Sequence, residues 1–237
     1  MYYRAVPRRM PDHRLSDLFD CATRVFIAQG YRRTQMSDVA AAMGVAKGTV
    51  YLYVESKEAL FDAVLRHADA QLPQLSKLAL PIPTPDPGSL LRLLETRLEQ
   101  EVAPPALRQA LARRRVSDVR KELESIVREL FASAHRNRIA IKLIDRCGSD
   151  HPELASIFYE RGRLAQLGLL ERYLAARIRN GHFKTLPDAA VAARFMIETI
   201  MTWAVHIEWD PAPQTIDPCD AEETVVHFLL GGLLEEE

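Results

Sequence analysis

Between Thr34 and Lys57 the chain reads TQMSDVAAAMGVAKGTVYLYVESK, and here its side chains with chemical capability gather. Lys47, Thr49, Tyr51, Tyr53 and Lys57 supply cations and hydroxyls, and Thr34 and Gln35 add a hydroxyl and an amide just upstream. Such groups hold phosphate oxygens and read base edges; they do not by themselves make or break bonds. Elsewhere the chain offers no glycine-rich phosphate loop, no nucleophile elbow and no histidine pair with zincin spacing. His206 and Glu208 are two positions apart and cannot share one helix face. No enzymatic activity, catalytic residue, metal or cofactor is therefore expected.

The elements that must position these groups are helices. Leu15, Leu18, Phe19, Ala22, Val25 and Phe26 recur at helical spacing between His13 and Gln29, and Gly30 supplies a stop. A second helix is predicted from Thr34 or Gln35, with Thr34 the better cap, to Gly44, and with Val39, Ala40 and Met43 as its buried face. Gly44 permits the positive φ of a tight turn. A third short helix covers Lys47 to Tyr53, anchored by Val45 and Val50. Ser56 caps a fourth, whose stripe Leu60, Phe61, Val64, Leu65, Ala68, Leu72 and Leu75 is long enough to link two domains. Two helices joined by a tight turn are the minimum that can place one of them in a DNA major groove. Lys47, Gly48, Thr49, Tyr51, Leu52 and Tyr53 would then face the groove and its walls, and Lys57 would hold a neighbouring phosphate. Arg4, Arg8 and Arg9 form a short basic arm whose simplest reading is a solvated tail.

The residues Phe26, Gly30, Tyr31, Thr34, Val39, Ala40, Gly44 and Val45 carry a wider pattern. With Lys47, Gly48, Thr49, Val50, Tyr51, Tyr53, Ser56, Lys57, Glu58 and Leu60, it closely resembles the N-terminal domain of the TetR family of bacterial transcriptional repressors. The resemblance covers about Arg14 to Val64. It implies a three-helix helix-turn-helix domain on double-stranded DNA at a palindromic operator, with Thr34, Gln35, Lys47, Gly48, Thr49, Tyr51, Leu52, Tyr53 and Lys57 at the interface. The sequence departs from the family at Val54, usually Phe, and at Gln35 and Leu52, usually more polar or hydroxyl-bearing. Gln35 suits a phosphate or adenine; Leu52 suits a thymine methyl.

Beyond the proline-rich stretch 81–88, helical patterns cover about 88–102, 105–115, 118–134, 137–147, 152–180, 187–208 and 221–234. The fold class is thus all-α: residues 1–60 as the DNA-binding domain and 61–237 as a larger helical domain for ligand binding and dimerisation. The last two helices are apolar around much of their circumference, so a second copy is expected to cover one side. The family resemblance implies the same homodimer through about 187–208 and 221–234, and a small-molecule effector inside the body. Phe131, Phe158, Phe195, Met196, Trp203 and His206 are candidate lining groups, with Arg138 or Arg161 for an acidic ligand; packed core is the plainer reading of each aromatic. The Arg113–Arg115 run is most simply a solvated face.

Net charge is −1 over 237 residues, so any polyanion surface must be local. Residues 1–60 carry +3 and the remainder −4. Cys21, Cys147 and Cys219 are too scattered for a disulfide framework or zinc site. The N-terminus has no apolar leader core, and no apolar run reaches the roughly 18–20 residues of a membrane span. A bacterial cytoplasmic protein, at the nucleoid when bound to DNA, is expected. The expected function is a homodimeric repressor released from its operator by a ligand. The alternatives are an activator or ligand-independent regulator of the same type, and a helical dimeric scaffold for a protein partner.

Overall fold

The computed structural model describes residues 12–67, 78–113, 115–212 and 215–235. The basic arm Arg4, Arg8 and Arg9, the stripe positions Ala68, Leu72 and Leu75, and Arg114 lie outside them. Among the described residues every regular element is helical, and the sole extended pairing is an isolated parallel bridge between Val54 and Ile82. The chain divides into two compact units, Met1–Pro87 and Gly88–Glu237. The expected boundary at residue 60 therefore moves to 87. It falls inside a helix that packs on the first one, and Ile82 returns to bond the backbone of Tyr53 and Glu55.

The first unit holds α1 (Asp12–Gln29), α2 (Met36–Ala42), α3 (Lys47–Val50) and α4 (Lys57–His67). Leu18, Phe19, Ala22 and Phe26 of α1 meet a core completed by Val39, Val50, Val54, Leu60 and Val64, all almost fully buried. Gly30 ends α1 at φ +80, its N–H donating to the Phe26 carbonyl at 2.8 Å. Thr34 does not cap α2. Its hydroxyl donates to the Gly30 carbonyl at 2.7 Å, and Gln35 takes the cap position, its N–H donating to the Asp38 carboxylate at 2.8 Å. At the other end, Gly44 N–H donates to Ala41 and Val45 N–H to Ala40, a pair of bonds that satisfies the last carbonyls of α2. Gly44 sits at φ +68 with open space where a Cβ would be, so backbone conformation alone demands glycine.

The second unit runs through α5 (Ser89–Glu101), α6 (Pro105–Ala112), α7 (Val119–Arg136), α8 (Arg138–Cys147), α9 (Pro152–Ser156), α10 (Leu164–Arg179), α11 (Ala189–Ala204) and α12 (Pro218–Leu233). α11 packs against α7, α10 and α12, and their inward faces form one apolar core that includes Leu130, Tyr173, Ile200 and Leu229. Several elements differ from expectation, α6 among them, which ends at Ala112 rather than 115. The single helix predicted over 152–180 contains a π-wound segment, Ile157–Arg163, between α9 and α10. α5 packs against this segment, where a Cβ on buried Gly162 would come within 2.9 Å of a Leu98 methyl. α11 ends at Ala204, because Val205 leaves helical geometry and a 3-10 turn, His206–Trp209, follows. α12 starts earlier than predicted, at Pro218, where the Asp217 side chain accepts from the Cys219 N–H.

Candidate nucleic-acid interface

Side chains at both ends of α2 face outward. Gln35, its cap, is exposed; beyond the turn that follows it, Lys47 and Gly48 are exposed and Thr49 is half-exposed. Tyr51 is 41% and Leu52 57% exposed, large values for side chains of their size. A Cβ on Gly48 would meet nothing within 4 Å, so the backbone there is bare to an approaching surface. α3 itself is a single turn: it stops at Val50, and Tyr51–Tyr53 form a following turn rather than the predicted last turn of helix. Val50 and Val54 are fully buried and hold this segment against the core. The Val54 substitution thus belongs to packing.

Three expected contact residues stand elsewhere. Thr34 is 1% exposed and spends its hydroxyl on Gly30; Tyr53 is 1% exposed and belongs to the core. Neither side chain is presented at the surface. Lys57 places its ammonium against the carbonyls of Tyr31, Arg32 and Thr34 at 3.1, 3.5 and 3.2 Å, above the Tyr31 ring. The sequence gives no local signal for this, since the partners lie 23–26 positions away. Conversely, Arg32 and Arg33 are exposed cations of the α1–α2 turn that the motif reading passed over. Glu58 accepts from the Tyr31 hydroxyl at 2.9 Å. Its carboxyl is held below the usual range, first by its own backbone N–H and then by the Tyr31 and Ser56 hydroxyls, against an opposing effect of burial.

Of the eight residues considered for an effector, four belong to or pack against one apolar core and four do not. Phe131 and Met196 are packed core, at 2% and 1% exposure; Phe158 and Trp203 are half-buried against that core. Phe195 is 67% exposed on α11 and so cannot line an internal pocket, which corrects its assignment. Arg138 is bonded to Glu208 at 2.8 Å and to the His135 carbonyl, and Arg161 to Glu95. His206 lies 3.9 Å from Asp145, and burial lowers its pKa. A cleft of about 380 Å³ bordered by Asp145, Ser149, Pro152, Ser156, Tyr159 and Glu160 contains none of the eight. Asp145 accepts there from the Tyr159 hydroxyl, whose proton is held tightly by burial and by that carboxylate. Among the described residues, no group of three or more His, Cys, Asp or Glu is placed to hold a metal ion. No described helix is long and apolar enough to cross a membrane.

On the outer side of the second unit, Val191 and Phe195 project from α11 and Phe228 from α12, each at least 67% exposed. Gly231 and Gly232 of α12 are exposed, with nothing near their would-be Cβ positions. Burying these large apolar side chains would stabilise a contact by roughly 1.5–3 kcal/mol each.

Residues 18–64 match the bacterial regulatory proteins of the tetR family. An HTH-type transcriptional repressor, KstR2 of Rhodococcus jostii (strain RHA1), is 38% identical over 53 residues, which is 22% of this chain and 26% of that protein. The match thus spans about a quarter of that relative's length. Two solved structures share the fold over nearly the whole chain. The ketosteroid transcriptional regulator KstR2 of Mycobacterium tuberculosis has a TM-score of 0.57 at 17% identity, covering 96% of this chain and 98% of that one. A probable transcriptional regulatory protein, RHA5900, has a TM-score of 0.56 at 20% identity, covering 93% and 99%. Over residues 18–64, its helix-turn-helix segment, this chain is thus similar to the bacterial regulatory proteins of the tetR family.

Proposed function

We propose that the chain regulates transcription as a homodimer, as a repressor that binds a palindromic operator and leaves it when a small molecule occupies the second unit. The observation that carries this reading is the exposed run Lys47, Gly48, Thr49, Tyr51 and Leu52, on a segment held against the core by Val50 and Val54, with exposed Gln35 at the start of α2. Thr49 and Tyr51 hydroxyls fix register on phosphates; Lys47 reads guanine O6 or N7. Gln35 reads adenine, and Leu52 packs on a thymine methyl. One such row reads few bases, so specificity requires two rows about one helical turn apart. Val191, Phe195 and Phe228 form the apolar face that a second copy covers, and the two exposed glycines of α12 let the partner backbone come close.

An effector acts only if it prefers the arrangement that misfits DNA, since equal affinity for both arrangements shifts nothing. Phe131, Phe158, Met196 and Trp203 share one packed core, so the effector site is found by experiment rather than from the list of eight. The DNA-binding reading is tested by fluorescence anisotropy of the chain with its own upstream DNA over a salt series. Log K should fall linearly with log salt at a slope of about −0.9 per neutralised phosphate. Absent binding, or binding indifferent to salt, sinks the reading.

A further inference from the structure

We propose that Lys57 is a positioning residue: its ammonium ties the α1–α2 turn to the first turn of α4, fixing where Gln35 and α2 stand, and it does not meet a phosphate. This rests on the DNA-binding reading above, and revises the role that the position of Lys57 in the motif first suggested.

An ammonium has three N–H donors and no acceptor. Those of Lys57 face three backbone carbonyls, those of Tyr31, Arg32 and Thr34, at 3.1, 3.5 and 3.2 Å. The same nitrogen stands 4.4 Å from the centroid of the Tyr31 ring, within cation–π reach. Two donors are therefore engaged within the protein at ordinary hydrogen-bond length, and the third faces the more distant, exposed Arg32 carbonyl. A phosphate that drew the ammonium away would leave the half-buried Tyr31 and Thr34 carbonyls without their cation.

The receiving side is built to stay in place. The Tyr31 ring stacks at 6.0 Å on Phe26 and meets Phe61 edge-on at 5.0 Å, so it is wedged between α1 and α4. Its hydroxyl donates to Glu58, the residue after Lys57, giving the first turn of α4 a second hold on the same turn. Thr34, which supplies the third carbonyl, also bonds Gly30 through its hydroxyl. Thr34 is followed directly by Gln35, the cap of α2, and α2 leads through Gly44 to α3. A shift of the first turn of α4 is thus carried by Lys57 and Glu58 into the segment that sets Gln35. Exposed Lys47 remains as a cation for phosphates.

The test uses the full chain as wild type, Lys57→Met and Lys57→Arg, with two readouts. Amide hydrogen exchange over residues 31–36 reports the tie without DNA. Anisotropy titrations on the chain's own upstream DNA give affinity and salt slope. In both variants exchange at 31–36 should rise at least about tenfold, and affinity should fall with the salt slope unchanged. Arginine retains the charge, but its planar fork cannot deliver three donors to one point, so charge alone should not rescue. If Lys57→Met fails to fold, Lys57→Arg carries the comparison. A slope shallower by about 0.9 in Lys57→Met, or wild-type protection and affinity in Lys57→Arg, overturns the proposal. If the wild type binds no DNA at all, the DNA-binding reading falls, while the exchange readout still decides the role of Lys57.

Discussion

Replacing Arg177 with Met strikes the most completely buried ion pair described in the second unit. The Arg177 guanidinium donates from Nε to Glu122 at 2.8 Å and from Nη2 to the Ala110 carbonyl at 2.8 Å, joining α10 to α7 and α6. The side chains are 5% and 9% exposed, so the substitution leaves a carboxylate buried without its cation and a carbonyl without its donor. Stranding one member of a buried pair costs about 3–5 kcal/mol. In a domain of this size that lowers Tm by roughly 6–20 °C. Most of the cost is the stranded carboxylate rather than the pair's net worth. Changing Glu122 to Leu in the Arg177→Met background should therefore restore about half the loss or more. Tyr173 sharpens the test, because burial first and then the Glu122 charge raise its hydroxyl pKa. The Glu122→Leu change removes the second influence. Calorimetric melts of the wild type, both single variants and the double variant measure the coupling. An Arg177→Met loss below about 1 kcal/mol, or a double variant less stable than either single one, refutes the reasoning.

Other positions give independent checks. Gly44→Ala keeps its space but must hold φ +68, so it should cost roughly 1 kcal/mol in denaturant unfolding, and a loss above about 3 kcal/mol would indicate a clash that the open surroundings exclude. Phe195→Asp combined with Phe228→Asp should shift the chain to monomer in sedimentation analysis and cut DNA affinity, with little change in helical content by circular dichroism. For Glu58, the folded pKa is depressed, so its contribution is fully present above the unfolded carboxyl value and is lost as pH falls through the folded one. Acid melts of Glu58→Gln should accordingly lose less stability on acidification than the wild type; identical acid profiles would contradict the assigned cause.

Much of the first unit was legible because its signals are local. Gly30 and Gly44 mark backbone turns by residue type, and the periodic apolar positions of α1, except half-buried Val25, are buried, as are Leu60, Phe61, Val64 and Leu65 of α4. Thr34, Tyr53 and Lys57 misled because residue chemistry names what a side chain can do, not where it points. Thr34 and Tyr53 lie one step round the turn from the exposed row, and Lys57 is captured by carbonyls distant in sequence. In the second unit the helices were legible but the π winding at 157–163 was not. Its apolar spacing resembles that of an α-helix, and the close approach of Gly162 to Leu98 brings together residues 64 positions apart. Phe195 misled for a related reason: an aromatic in an apolar helix reads equally as core, pocket or dimer face, and only the packing of α11 against α7, α10 and α12 separates these.

Hydroxyl-radical footprinting of the full chain on its own upstream DNA tests the central claim most directly. A dimer of exposed Lys47–Leu52 rows predicts two protected patches, related by a dyad and centred about 34–36 Å apart or a multiple of that. Both patches should vanish together in Phe195→Asp with Phe228→Asp. A single patch, patches without two-fold symmetry, or protection that survives loss of the dimer would contradict the account.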